Sequence, residues 1–227
     1  MGEHPGHADL ELAKWVALLS MSVDHAGKIV VPELYAETHL LGRLAMPLFG
    51  FIVGARLALS PELASRYLRS LLPWAIASQP VYVVAGRDWS EGNVLFTLAL
   101  GVIAAWGVEA LRAGRRGPGV LALALAAAAS PWVEFGTLGV ALVVAAAVLG
   151  RGGLERAAWA CGLLGLVANL HREAPVLGLG DTSALLASAV AVASLHAPRA
   201  LPRLPKHLFY AYYPAHLYAL HLLDLFG

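Results

Sequence analysis

The sequence predicts an all-α protein, a polytopic bundle of about nine transmembrane helices with a cytoplasmic N-terminus. Three observations carry that prediction. The 227 residues are 59% hydrophobic and only 14% charged, with a mean hydropathy of +0.67, whereas soluble domains carry about 25% charged residues. Apolar runs of membrane length recur along the chain, punctuated by Gly, Pro and charge. The basic residues gather at alternate connections between those runs. Residues 1–227 therefore read as one integral membrane domain behind a polar tail, residues 1–9, that lacks a cleavable signal pattern.

The runs fall approximately at 10–31, 40–59, 66–84, 93–112, 119–131, 135–150, 154–171, 182–196 and 207–226. The first is too long for a signal-peptide core and is expected to be retained. The fourth opens at Asn93, a good N-cap. The fifth is short and rich in small residues, Ala122–Ala129, which suit close helix packing. Ser130-Pro131-Trp132 makes a tight turn to the sixth, although the two runs could also be one broken helix. The last contains Pro214, expected to kink it near its middle. Cys161 lies among small apolar residues and reads as a packed core thiol; as the single cysteine it cannot form an intrachain disulfide. There is no internal repeat, which weighs against an inverted-repeat transporter.

Orientation follows from the basic residues. Lys14, Arg56, Arg66, Arg69, Arg112, Arg115, Arg116, Arg151, Arg156, Arg199, Arg203 and Lys206 fall on one side, so that 12 of the 16 Lys and Arg share it. Lys28, Arg43, Arg87 and Arg172 fall on the other. The positive-inside rule makes the first side cytoplasmic. Nine spans then put the C-terminus outside. The net charge of +1 points to no nucleic-acid partner; the partner implied by composition is the lipid bilayer.

The polar residues inside the runs can be ordered by depth. Asp24 and His25 lie about 10 Å inside the outer end of the first run. A charge near a bilayer centre costs roughly 2.5–3.5 kcal/mol even on lenient scales, so such a pair is a functional-site hypothesis. An imidazole there can shuttle protons or attack an acyl group; the bland reading is an Asp24–Lys28 ion pair at i,i+4 with an incidental His25. Arg43 can bridge a carboxylate bidentately, with Asp24 its expected partner, or can reach lipid phosphate instead. Asn93 and Thr97 share a helix face and could hold a substrate amide, with capping the alternative role of Asn93. Tyr213 and His216, three residues apart beside Pro214, share a face near mid-depth; His221 and Asp224 repeat that spacing nearer the end. Glu134 begins the sixth run, where a helix dipole favours an acid. Acid, base, guanidinium, amide and phenol from at least five runs thus converge on the outer half, which suggests a cavity with chemistry. The nine His show no metal-ligand spacing, and no metal is expected.

Several of these residues stand in segments that resemble one family. Lys14-Trp15 leading to Asp24-His25, then Gly42-Arg43-Leu44-Ala45-Met46-Pro47-Leu48-Phe49, Tyr67 before Gln79-Pro80, Asn93-Val94-Leu95-Phe96-Thr97-Leu98, Glu134-Phe135-Gly136-Thr137-Leu138-Gly139 and Tyr213-Pro214-Ala215-His216-Leu217 run in the order found in the TraX family. Tyr67 is followed by Leu68-Arg69, a looser match. The family's named activity is N-terminal acetylation of a conjugative pilin, and the family is similar to membrane acyltransferases that carry an acyl group from cytoplasmic acyl-CoA to an acceptor across the membrane. The resemblance implies acetyl-CoA as donor, a pilin or other cell-surface acceptor, the bacterial inner membrane as location, and His25 as the key histidine.

The combined expectation is a membrane-embedded acetyltransferase. His25, Asp24, Arg43, Tyr213 and His216 form its catalytic set. Asn93, Thr97 and Glu134 bind substrate, and Tyr213, His216 and Asn93 could donate to the developing oxyanion. Arg56, Arg66 and Arg69 receive the anionic nucleotide of the donor. A proton-coupled transporter, an acyltransferase acting on a glycan and a non-catalytic assembly subunit are the rival readings.

Overall fold

The computed structural model describes residues 10–172, 183–196 and 201–226. Within them the chain is helical: α1 (Glu11–Ile29), α2 (Tyr35–Gly42), α3 (Ala45–Leu59), α4 (Leu63–Val84), α5 (Val94–Arg112), α6 (Arg116–Ala129), α7 (Gly136–Leu149), α8 (Leu154–Arg172), α9 (Ser183–His196) and α10 (Lys206–Phe226), with three short 3-10 turns. Each of the nine expected runs has a helix. α2 is additional. It arises because the run expected to begin at residue 40 starts at Tyr35 and breaks at Arg43-Leu44, after which Pro47 sits in the first turn of α3, where a missing N–H costs least. The fifth and sixth runs are separate helices, α6 and α7, parted by the 3-10 turn Ser130–Trp132. α10 remains one helical element through Pro214.

Two helical stretches among the described residues are long and apolar enough to cross a membrane by length and composition: Pro32–Leu59, 28 residues, and Val94–Arg112, 19 residues. The apolar stretches Gly136–Gly152 and Ala184–His196 are shorter. What the helices establish is therefore an all-α bundle, with a narrower set of membrane-length segments than nine.

α3 is the central column. It is apolar around most of its circumference and buried along nearly its whole length, as such a helix must be. It packs against α1, α5, α7, α8 and α9, while α10 lies on α4 and α1, and α6 rests on α5. Small residues permit these approaches. A Cβ on Gly54 would stand 2.3 Å from that of Ala146 on α7. Cys161 is buried, its Sγ 3.6 Å from the carbonyl oxygen of Leu142.

Short connections pin the bundle at two ends. At one end, the Gly92 N–H donates to the Trp132 carbonyl and the Glu134 N–H to the Gly92 carbonyl, both at 2.8 Å, clasping the α4–α5 and α6–α7 connections together. At the other, the Leu204 N–H donates to Glu11 at 2.9 Å, and Arg151 reaches Glu109 at 2.5 Å. The first is called the histidine end and the second the arginine end.

Candidate active site and its approach cavity

α1 and α10 bring two imidazoles together. His25 Nδ1 and His216 Nε2 are 2.7 Å apart, with ring planes inclined by only 15°. His216 Nδ1 lies 2.9 Å from the Tyr212 carbonyl oxygen. A carbonyl can only accept, so His216 carries its proton on Nδ1. In a neutral His216, Nε2 must then accept from His25 Nδ1–H. This leaves His25 Nε2 with its lone pair available, the state a general base needs. Tyr212 supports the pair from below, its ring 5.1 Å from that of His216 and inclined by 10°. Ser22 Oγ donates to the Leu18 carbonyl at 2.7 Å, so the Tyr212 hydroxyl donates to Ser22 at 2.6 Å.

Asp24 points elsewhere, as adjacent residues on a helix must. Its Oδ2 is 2.5 Å from Lys28 Nζ and its Oδ1 is 3.0 Å from His39 Nδ1. The i,i+4 ion pair is thus present, with a histidine of α2 added, while Arg43 stands half-buried at the α2–α3 break. Gly42 lets α2 approach: a Cβ there would lie 2.3 Å from Asp24 Cβ.

Asn93 is committed to the scaffold. Its Nδ2 donates to the Ala75 carbonyl at 2.9 Å and to Gln79 Oε1 at 2.8 Å, and its Oδ1 caps α5 by accepting from Leu95 N–H at 3.0 Å. Both of its side-chain protons are used, so it has none left for a substrate. Thr97 is buried one turn deeper, its Oγ1 without a hydrogen-bond partner among the described residues and its methyl facing Gly139 of α7. Glu134 is buried 3.9 Å from Arg87, which lies over the Tyr82 ring; Tyr82 donates to Glu91 at 2.8 Å. Burial works against the charge of Arg87, but Glu134, Tyr82 and Glu91 outweigh it and hold its pKa above the ordinary arginine value. Nearby, the Ser90 N–H donates to exposed Asp88 and holds that carboxyl below the usual range.

A cavity of about 330 Å³ runs from the arginine end toward this cluster. Lys14, Arg56 and Arg66 stand at its mouth, Phe49, Ile52, Leu71 and Leu98 form its apolar wall, and Met21, Val94 and Tyr213 close it. Lys14 is paired with Glu11 at 2.6 Å. Arg56 and Arg66 have no carboxylate partner among the described residues. Arg69 is not part of the lining; it donates to the Ser65 carbonyl at 3.3 Å. Neither imidazole is among the lining residues. Tyr213 belongs to both regions, lining the cavity and tilting its ring 5.8 Å from that of His216. His221 and Asp224 lie further along α10, where exposure rises. No group of three potential metal ligands occurs among the described residues.

Sequence reasoning passed over Arg87, Tyr82, Glu91, His39 and the Tyr212–Ser22 link as site components. The signal for Arg87 was present, since few basic residues fall at this end. Nothing local to the sequence marks the others.

The comparisons with known proteins agree with the segments quoted from the sequence. The family model described as TraX protein matches residues 9–224. Protein TraX of Escherichia coli is 32% identical over 231 residues, which covers 97% of this chain and 88% of that protein. Protein TraX of Escherichia coli strain K12 is 32% identical over 230 residues with the same coverage. No solved structure matches the chain.

Proposed function

Since the chain belongs to the TraX family, we propose that it is a multi-pass inner-membrane acetyltransferase. It moves an acetyl group from cytoplasmic acetyl-CoA to an acceptor amine or hydroxyl at the outer face, a pilin N-terminus being the acceptor that the family resemblance implies. One observation carries the reading: one cavity connects two arginines that have no carboxylate partner among the described residues to the tyrosine that touches the imidazole pair. That form suits a donor with an anionic nucleotide and a long uncharged arm. Arg56 and Arg66 meet the phosphates, and the apolar wall receives the arm. The helix ends carrying most of the basic residues face the cytoplasm.

The acceptor reaches His25 from the histidine end, where its side chain is only partly buried. Nε2 takes the proton of the attacking amine or hydroxyl as the nucleophile adds to the thioester carbonyl carbon. Collapse of the tetrahedral intermediate breaks the carbon–sulfur bond, and the proton held by His25 passes to the leaving thiolate. His216 keeps His25 in the required tautomer. Asp24, neutralised by Lys28, anchors α1 to α2.

Acetyl transfer from labelled acetyl-CoA to a peptide with a free N-terminal amine, measured with detergent-purified protein, tests the reading. Label incorporation is expected, and its absence with intact, folded protein and every acceptor class overturns it. Reporter fusions after Gly114 and after Gly227 are expected to report opposite faces of the membrane, with Gly114 cytoplasmic; both on one face would remove the proposed span count.

A further inference from the structure

We infer that the oxyanion of the transfer reaction is held by the Tyr213 hydroxyl and the Val94 backbone N–H at the N-terminus of α5, where the cavity closes. This rests on the acetyltransferase reading and assigns a site within it.

Two independent observations meet there. The first is the helix terminus. Asn93 caps α5 through Leu95 N–H, while the N–H groups of Phe96 and Thr97 turn back to the Asn93 carbonyl at 2.9 and 3.4 Å. Val94 N–H has no backbone acceptor among the described residues, and Val94 lines the cavity. Free N–H groups at a helix N-terminus and the partial positive charge behind them favour an anion. The second is Tyr213. It is 3% exposed, lines the same cavity, and its hydroxyl has no completed hydrogen bond among the described residues. The Val94 N–H is the backbone group that faces the Tyr213 hydroxyl, and no hydrogen bond uses the hydroxyl's own proton among the described residues. An orphaned buried hydroxyl is costly unless a ligand supplies the missing acceptor.

The two donors converge from α10 and α5, and the base is one residue away, since His216 touches Tyr213 on one side and His25 on the other. As the nucleophile adds, the carbonyl π pair moves onto oxygen. Tyr213 O–H and Val94 N–H donate to that oxygen, whose pair re-forms the carbonyl π bond as the carbon–sulfur pair leaves on sulfur and takes the proton held by His25. No further reactant is required. The arrangement also explains why Asn93 is not a donor: its work is to hold α5 so that Val94 N–H faces the cavity.

The backbone donor can be removed by a side-chain substitution. Proline is tolerated at the first position of a helix. It requires extended backbone in the residue before it, and Asn93 already has φ −63° and ψ 171°. Val94→Pro therefore deletes one N–H with little else disturbed, and Val94→Ala is its reference because it keeps the N–H. Tyr213→Phe deletes the hydroxyl. The wild-type rate is measured first, so that absence of acetyl transfer would count against the enzyme reading and leave this pair of donors to fall with it. Given an active wild type, Tyr213→Phe is expected to lower kcat by about 10²-fold, the usual cost of one oxyanion donor. KM for acetyl-CoA and the pH profile stay in place, and the melting temperature is unchanged or higher. Val94→Pro is expected to turn over at least tenfold more slowly than Val94→Ala. Wild-type kcat in Tyr213→Phe, or equal rates in Val94→Pro and Val94→Ala, overturns the assignment. So does a large fall in melting temperature for Tyr213→Phe, because it would show that the hydroxyl is spent on structure.

Discussion

The two ends of the bundle differ in the charges they leave unmatched. At the histidine end cations are matched to acids: Lys28 to Asp24, and Arg87 to Glu134. At the arginine end Lys14 and Arg151 are likewise paired, with Glu11 and Glu109, but Arg56 and Arg66 at the mouth of the cavity have no carboxylate partner among the described residues. Matched buried charges hold geometry, because moving one strands the other. Unmatched charges at a mouth hold nothing, but they attract an anion and let it leave. The difference separates a place built for chemistry from a place built for capture, and substitutions at the two ends should fail in different ways.

The largest expected effect is at the imidazole pair. His25→Ala should lower acetyl transfer by about 10²–10⁴, the usual contribution of a positioned proton-transfer group, with melting little changed. A normally folded His25→Ala protein that transfers acetyl at the wild-type rate would move the base to His216. Asp24→Ala should instead be a stability variant. It removes the carboxylate that Lys28 and His39 share and should cost about 1.5–3 kcal/mol, as for hydrogen bonds to a charged group. Thermal melting of Asp24→Ala, Lys28→Ala and the double variant checks this: the two losses should be less than additive. Gly42→Ala drives a methyl into Asp24 and should cost about 1–3 kcal/mol through overpacking. The smallest effect belongs to the other end. Arg56→Ala and Arg66→Ala should each raise KM for acetyl-CoA a few-fold at low salt, less at high salt, and leave kcat alone, since accessible charges are screened. Arg203→Ala, outside the cavity lining, is the control. An arginine variant with lost kcat, or a His25 variant with altered KM alone, would break the division between the two ends.

The sequence made depth legible and left azimuth hidden. Rise per residue is fixed, so counting along each run placed Asp24, His25, Asn93, Thr97, Glu134, Tyr213 and His216 on neighbouring levels. Rotation about each helix axis depends on partners far away in the chain. The His25–His216 contact joins residues 191 apart. For the same reason Asp24 could not be assigned between Lys28 and Arg43 from spacing alone, and Arg69 could not be told from Arg66, although one lies on the cavity and the other on its own helix. The break at Arg43 was equally hidden: Pro47 marks a helix start, but the apolar character of the run continues through it. Asn93 shows the opposite case. Its capping role is local, and the local pattern Asn93-Val94-Leu95 displays it.

The clasp between Gly92 and the Trp132–Glu134 backbone is made only of main-chain atoms. Such bonds are indifferent to the letters on either side but not to their number. The clasp itself is therefore insensitive to which side chains flank it, whereas inserting one residue between Gly92 and Asn93 would turn the start of α5 by about 100° and carry Val94 off the cavity. In the clasp it is spacing that is under constraint, so an insertion scan would see there a forbidden position that the loss of no single side chain would reveal.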